Sequence, residues 1–263
     1  MPTSEMKIAL LGDVHANLPA LETVIAHATS LGVEEFWNIG DFVGYGAFPD
    51  QVVERMRSKQ FINIIGNYDL KVLKFPKKTK KWQKNKHPKK WLAFKWAYEK
   101  LSKRSRKYLG SLPKERELLI GEKRFLLVHG SPASNEELLE PDTSEERLQE
   151  LKQLAEDKYE VEFEAIIFGH SHQAFTRQIG KTIFVNTGSV GRPDDGNPRA
   201  AYAIMQLGRG EIQICHYRLN YDVDRAVAEN HRQGLPEAFA EMLIQGRDLE
   251  TIFAQGVSPL IDS

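Results

Sequence analysis

The chain has 263 residues, 41% of them hydrophobic, with 36 basic and 36 acidic side chains. That size fits one large domain or a domain carrying an insertion, and the balanced charge gives no bulk attraction to nucleic acid or membrane. No apolar run reaches the ~20 residues that span a bilayer. Residues 1–7 show no charged leader before a long apolar core, and the lone Cys215 makes no internal disulfide, so a cytoplasmic protein is expected.

A strand is expected over residues 6–11, stopped by Gly12. Asn17 reads as the N-cap of a helix with Pro19 in its first turn, Leu21, Val24, Ile25, Ala28 and Leu31 on one face, and Gly32 as its stop. Strands over 35–39 and 61–65 end in Gly40-Asp41 and Gly66-Asn67-Tyr68-Asp69, with a short helix from about Pro49 between them. This alternation argues for an α/β sheet with helices on its faces.

The rhythm then breaks. Residues 74–90 are polar, hold Pro76 and Pro88, and read as a loop; Trp91, Phe94, Tyr98, Leu101 and Tyr108 recur at helical spacing over about 90–109. Residues 71–107 carry sixteen Lys or Arg and the single acid Glu99, which leaves twenty basic and thirty-five acidic residues elsewhere. This stretch, about 71–112, reads as a basic helical cap inserted into a single domain that runs from residue 1 to 263. Its Trp82, Trp91 and Trp96 could stack bases, which keeps nucleic acid as a secondary partner class behind a small phosphorylated substrate.

A hairpin over 116–120 and 124–128 leads into His129-Gly130-Ser131. Thr143-Ser144-Glu145-Glu146 reads as a capping box before a helix that turns Leu148, Leu151 and Leu154 inward. Strands over 165–168 and 182–185 end in Gly169-His170-Ser171-His172 and in a turn over 186–191. A second hairpin, 200–206 with 211–217, turns at Gly208-Arg209-Gly210, and two helices close the chain near 222–233 and 236–244, within a C-terminal helical region of 222–250.

Six short apolar strands thus end in polar turns, and open α/β sheets bind ligands beyond the carboxyl ends of their strands. Asp13 and His15, on an extended backbone, point the same way. With Asp41, Asn67, His129, His170 and His172 they make seven donors, too many for one catalytic zinc and about right for two ions sharing a carboxylate. The mixed donors suit Mn, Fe, Zn or Ni better than calcium. His27, His87, His216 and His231 fall outside the pattern and read as structural, as does Cys215.

These turns, in this order, resemble the calcineurin-like metallophosphoesterases over roughly residues 6–221. The stretch from Asn186 to Pro193 is similar to the Asn-Pro-Gly-Ser turn of their small bacterial and archaeal phosphodiesterase branch. The stretch Asn220-Tyr221-Asp222-Val223 resembles dinucleoside polyphosphate hydrolases. The resemblance implies an αββα sandwich of two mixed sheets and two divalent metals, Mn foremost. Asp13, His15, Asp41 and His172 would hold one metal, and Asp41 would bridge to a second held by Asn67, His129 and His170. It also implies attack on phosphorus by a hydroxide bridging the metals, with Asn17 and Arg192 binding phosphate oxygens and Asp41, Asn67, Tyr68 and Asp69 as catalytic residues.

Tyr68 departs from the family, which usually carries a His there as the acid for the leaving group. A phenol, with pKa near ~10, is a weaker acid at neutral pH. Good leaving groups tolerate this, so a phosphodiester or nucleotide substrate is expected ahead of a simple monoester. A protein serine/threonine phosphatase or a non-catalytic interaction scaffold are the alternative expectations.

Overall fold

The computed structural model describes residues 6–208 and 211–256. The reading of residues 1–5 and the turn residues Arg209 and Gly210 therefore lie outside the described residues. Two five-stranded sheets form the centre, in the orders β10-β9-β1-β2-β3 and β4-β5-β6-β8-β7. In the first, β1 (Met6–Leu11) runs parallel to β2 (Glu35–Asn38) and antiparallel to β9 (Ala200–Leu207), while β2 is parallel to β3 (Phe61–Asn63) and β9 pairs with β10 (Ile212–Leu219). In the second, β5 (Lys123–Val128), β6 (Ala165–Phe168) and β8 (Thr182–Asn186) are parallel, edged by antiparallel β4 (Glu115–Ile120) and β7 (Phe175–Ile179).

The strand period of two sorts the apolar residues into layers. Ile8 and Leu10 of β1 and Trp37 of β2 meet Phe125, Leu127, Ala165 and Ile167 of the second sheet. The alternate residues Ala9 and Leu11 face α1 (Leu18–Ser30) and α2 (Pro49–Met56). The outer face of the second sheet, with Leu126, Ile166, Phe168 and Phe184, packs on Leu148, Leu151 and Ala155 of α6 (Glu145–Tyr159). The result is the expected αββα sandwich, with the parallel strands of both sheets ending at the same edge.

Between β3 and β4 the chain is helical almost throughout: α3 (Asn67–Asn85), α4 (Pro88–Lys100) and α5 (Lys103–Leu109). Most of the expected loop over 74–90 is therefore helix. Pro76 removes one intrahelical bond, but Val72 and Phe75 are buried and Phe75 meets the rings of Trp91 and Tyr98, so tertiary packing outweighs the local penalty. The single helix expected over 90–109 is two. Ser102 starts the second by accepting from the amide of Ser105 at 3.0 Å, while its own amide donates to Asp50 at 2.8 Å.

Smaller differences follow local chemistry. Ser144, not Thr143, caps α6 through the amide of Arg147. β7 had no sequence reading because its exposed polar residues hide its pattern. The tail holds α7 (Val223–Arg232), α8 (Glu237–Gln245) and a further α9 (Leu249–Ala254). Among the described residues, no helix is long and apolar enough to cross a membrane.

Ser102→Ala removes the cap that separates α4 from α5. Urea denaturation is expected to show a loss of about 1 kcal/mol; no loss would mean that packing alone sets the break.

Candidate metal centre

The turns after β1, β2 and β3 meet those after β5, β6 and β8 at one edge. The peptide beyond β1 continues its pairing with the next strand's loop: the amides of Asp13, His15 and Ala16 donate to the carbonyls of Gly40, Asp41 and Phe42 at 2.8–3.0 Å. Across the sheets, the amides of Val190 and Gly191 donate to Gly12 and Asp13, and the Ser189 hydroxyl donates to the Asp13 carbonyl at 2.7 Å. Gly66 and Gly169 allow this approach, since a Cβ at Gly66 would lie 2.0 Å from Asp41 Oδ1 and one at Gly169 2.4 Å from Asp13 Oδ2.

Asp13 and His15 are not extended, contrary to the sequence reading. Asp13, His15, Asp41, His170 and His172 all have φ between 47° and 66°, left-handed backbone that side chains with a Cβ adopt at a cost. The side chains still converge, because the turns rather than a strand aim them.

Asp13, His15 and His172 bring ligand atoms within 4.8 Å of one another, and so do Asp13, Asp41 and His129. His15 Nε2 lies 3.2 Å from His172 Nε2, and Asp13 Oδ1 is 3.4 Å from the latter. Asp41 Oδ2 stands between two rings, 3.7 Å from His15 Nε2 and 3.6 Å from His129 Nε2. Asp13 is thus common to both groups, and Asp41 also faces both His129 and His15. His170 lies further out on the cleft wall, its ring 5.0 Å from that of His129, and ties in through its amide, which donates to Asp13 Oδ2 at 3.1 Å.

Neighbours fix the ring orientations, as outer partners of metal-ligating histidines do. His129 Nδ1 meets the Ile39 carbonyl at 2.9 Å, and His172 Nδ1 meets Asp194 Oδ2 at 2.8 Å, so both turn Nε2 inward. Asp13 Oδ1, Asn67 Oδ1 and His129 Nε2 are buried without hydrogen-bond partners. Unpaired buried acceptors are costly; those of Asp13 and His129 lie in one group with Asp41, Asn67 lines the adjoining cleft, and such donors fit divalent cations.

The electrostatics agree. Burial, followed by the charge of Asp13, pushes Asp41 up to about 8; burial and Asp41 push Asp69 to about 7. Burial lowers His129, and with His129 beside it brings His170 down to about 4. Burial also opposes charge on His172, but Asp194 and Asp13 together outweigh it and raise the imidazole to about 9. Asp41 and His172 therefore hold protons at neutral pH that a cation would replace, whereas His129 and His170 stay neutral.

The remaining candidates take different places. Asp69 binds the amides of Gly66 at 3.0 Å and Val43 at 3.2 Å, so it secures two turns instead of facing substrate. Asn17 caps α1 with its carbonyl and spends its amide N–H groups on the Gly191 carbonyl and the Tyr221 hydroxyl, both at 3.0 Å. That leaves it no donor for a phosphate, which corrects its expected substrate role. Arg192 lines the cleft, held by Asp194 at 2.9 Å and lying 4.8 Å over the ring of Tyr45. The Tyr68 hydroxyl meets that of Tyr45 at 2.9 Å, and its ring stands edge-on to His15.

A cleft of about 460 Å³ opens beside these groups, walled by Tyr45, Tyr68, Lys71, Lys90, His170 and Arg192 among others. Sequence reasoning missed Asp194 and Tyr45. The first was findable, two residues from Arg192 in the same turn; the second lay in a glycine loop without metal-ligand chemistry.

The model for the "Calcineurin-like phosphoesterase superfamily domain" matches residues 6–210. The chain belongs to this superfamily. It is 30% identical to the uncharacterized protein MJ0912 of Methanocaldococcus jannaschii over 257 residues, 91% of this chain and 98% of that one. With phosphodiesterase YfcE of Escherichia coli K12 it shares 26% identity, covering 76% of this chain and 87% of the relative. In fold it is similar to the protein PH1004 of Pyrococcus horikoshii, with a TM-score of 0.81 and 21% identity over 92% of this chain and 98% of that one. The superfamily and its phosphodiesterase members make this protein a metal-dependent phosphoesterase, a hydrolase.

The shifted groups give a pH dependence to this phosphoesterase without metal. His172, raised to about 9 from 6.5, contributes stability fully below pH 6.5 and loses it as pH rises toward 9. Asp41, raised to about 8 from 3.8, loses its contribution in the same direction. The lowered His129 and His170 lose theirs only as pH falls below 6.5. Calorimetry of metal-stripped protein is expected to show Tm falling from about pH 6.5 to about pH 9. The rise in Tm on adding Mn²⁺ should be larger at about pH 8 than at about pH 6.5, because a cation replaces the protons. A separate check is Gly169→Ala, whose Cβ displaces the Asp13 carboxylate; Mn²⁺ affinity measured by titration is expected to fall about 10–100-fold.

Proposed function

We propose that this protein is a phosphodiesterase or nucleotide (dinucleoside polyphosphate) hydrolase working with two divalent ions, Mn foremost and Fe, Zn or Ni suited by the same donors. Asp13, His15, Asp41 and His172 would hold one ion; Asp41, Asn67, His129 and His170 the other. When bound, such ions supply positive charge to the phosphoryl oxygens and lower the pKa of water toward ~7. The protein's own groups do the rest. Asp194 holds His172 in orientation and anchors Arg192, whose guanidinium borders the cleft and carries a buried Nε without a partner. That fork suits an equatorial phosphate oxygen.

The observation that carries the substrate reading is Tyr68. Its amide donates to Asp41 Oδ1 at 2.8 Å and its hydroxyl reaches Tyr45, so a phenol pair stands in the cleft at the position where the family usually carries its imidazole acid. A phenol donates a proton poorly at neutral pH, which favours leaving groups stable as anions, such as a nucleotide phosphate. The phosphodiesterase relative supports the diester class. The lone Cys215, free and exposed, suits the cytoplasm.

With Mn²⁺, the protein is expected to hydrolyse bis(p-nitrophenyl) phosphate and nucleoside polyphosphates faster than a phosphoserine peptide. Tyr68→His supplies an acid and is expected to raise kcat/KM for alkyl monoesters by about 10²-fold, with a small effect on aryl diesters. A wild-type preference for the peptide would overturn the reading.

A further inference from the structure

Two ion pairs cross the cleft that opens on the metal centre. Lys71 on α3 reaches Glu136, in the loop after β5, at 3.0 Å. Lys90 on α4 reaches Glu250 on α9. All four residues line the same cleft as His170 and Arg192. A third lysine stands behind them: Lys86 holds its ammonium 5.4 Å from the ring of Trp82 and 5.8 Å from that of Phe94. Burial, then the charges of Lys71 and Lys90, lowers its pKa, so the three cations lie within one another's field.

The two partners in each pair are not equivalent. The lysine side chains are 25% and 33% exposed, their glutamates 63% and 61%. The Lys71 ammonium sits 5.4 Å from the Tyr68 ring, which anchors it beside the centre. The cations are held by the wall of the cleft, while the carboxylates stand in solvent and can turn away. Exposed pairs of this kind contribute little to stability, whereas ammonium groups bind phosphate oxygens by stronger charge-assisted bonds. Other acids of the cleft are engaged elsewhere: Glu140 with Gln173 at 3.2 Å, Asp248 as the cap of α9, and Asp194 with Arg192 and His172.

We propose that Lys71 and Lys90, backed by Lys86, form a second anion subsite that binds a phosphate group of the substrate beyond the scissile one, with Glu136 and Glu250 taking that place when substrate is absent. The subsite selects nucleoside polyphosphates over diesters with a single phosphate. Lys71 is the member nearer the centre, its ammonium standing by the Tyr68 ring on the cleft wall that His170 shares. Lys90, held against α9, extends the positive wall to the C-terminal helices. This inference rests on the reading of the site as a phosphodiester or nucleotide hydrolase.

The test compares the Mn²⁺-loaded wild type with Lys71→Gln and Lys90→Gln, on diadenosine tetraphosphate and on bis(p-nitrophenyl) phosphate. The ratio of the two kcat/KM values is expected to fall about tenfold in each variant, through KM for the polyphosphate. Calorimetric titration should show inorganic tripolyphosphate losing about tenfold more affinity than orthophosphate in the same variants, and gaining affinity in Glu250→Gln. Lys95→Gln, outside the cleft and paired with Glu99, is expected to leave the ratio unaltered. Equal losses on both substrates, or none, would overturn the subsite. Absence of turnover on either substrate by the wild type would instead sink the functional reading, with tripolyphosphate titration still reporting on the lysines.

Discussion

Asp13 and Asp41 are buried within the same crevice, and two carboxylates so placed cannot both ionise without cations beside them. Much of the local architecture follows from that constraint. Three imidazoles present Nε2 toward the carboxylates and one more borders them; burial and the charge of Asp13 raise the pKa of Asp41, whereas His172 overcomes burial to lower that of Asp13. A stable folded state needs either protons or metal ions there. The cation requirement is therefore a property of the fold and not only of the chemistry it performs.

Holding such a cluster takes rigid support, and the sandwich supplies it from both sides. Each sheet contributes three parallel strands whose ends reach the site, and the sheets are bonded to each other there through Asp13, Val190, Gly191 and His129. Five of the seven candidate ligands sit in left-handed backbone, which costs of order 1–3 kcal/mol each. Behind them lies the dry interface of Ile8, Leu10, Trp37, Phe125 and Ile167. Strain at the turns persists because the strands cannot shift without opening that interface.

Most strands and their turns were legible because they pair a short apolar run with a glycine-containing polar turn, as at Leu10-Leu11-Gly12-Asp13. The seven donors were legible for the same reason. The helical segment was not: Pro76 and the scarcity of apolar residues in α3 hide its helical pattern, and the contacts of Phe75 with Trp91 and Tyr98 hold the helix together. Asn17 was misassigned because a residue in a motif can serve as a cap, and its hydrogen-bond partners, Gly191 and Tyr221, are far away in the chain. Tyr45 and Lys90 were invisible as site residues since their relevance arises from three-dimensional packing of α4, α8 and α9.

Tyr68 connects the inner chemistry to that outer packing. Its backbone amide belongs to the Asp41 turn, its ring touches His15 and Phe94, and its hydroxyl meets Tyr45, which in turn packs against Phe239 of α8. An imidazole at this position would answer mainly to the metal turns. The phenol is instead wedged between α4, which also carries Lys90 to the cleft, and the loop that α8 supports. Tyr68 and Lys90 thus share the support of α4, and a change in α4 packing would move both together.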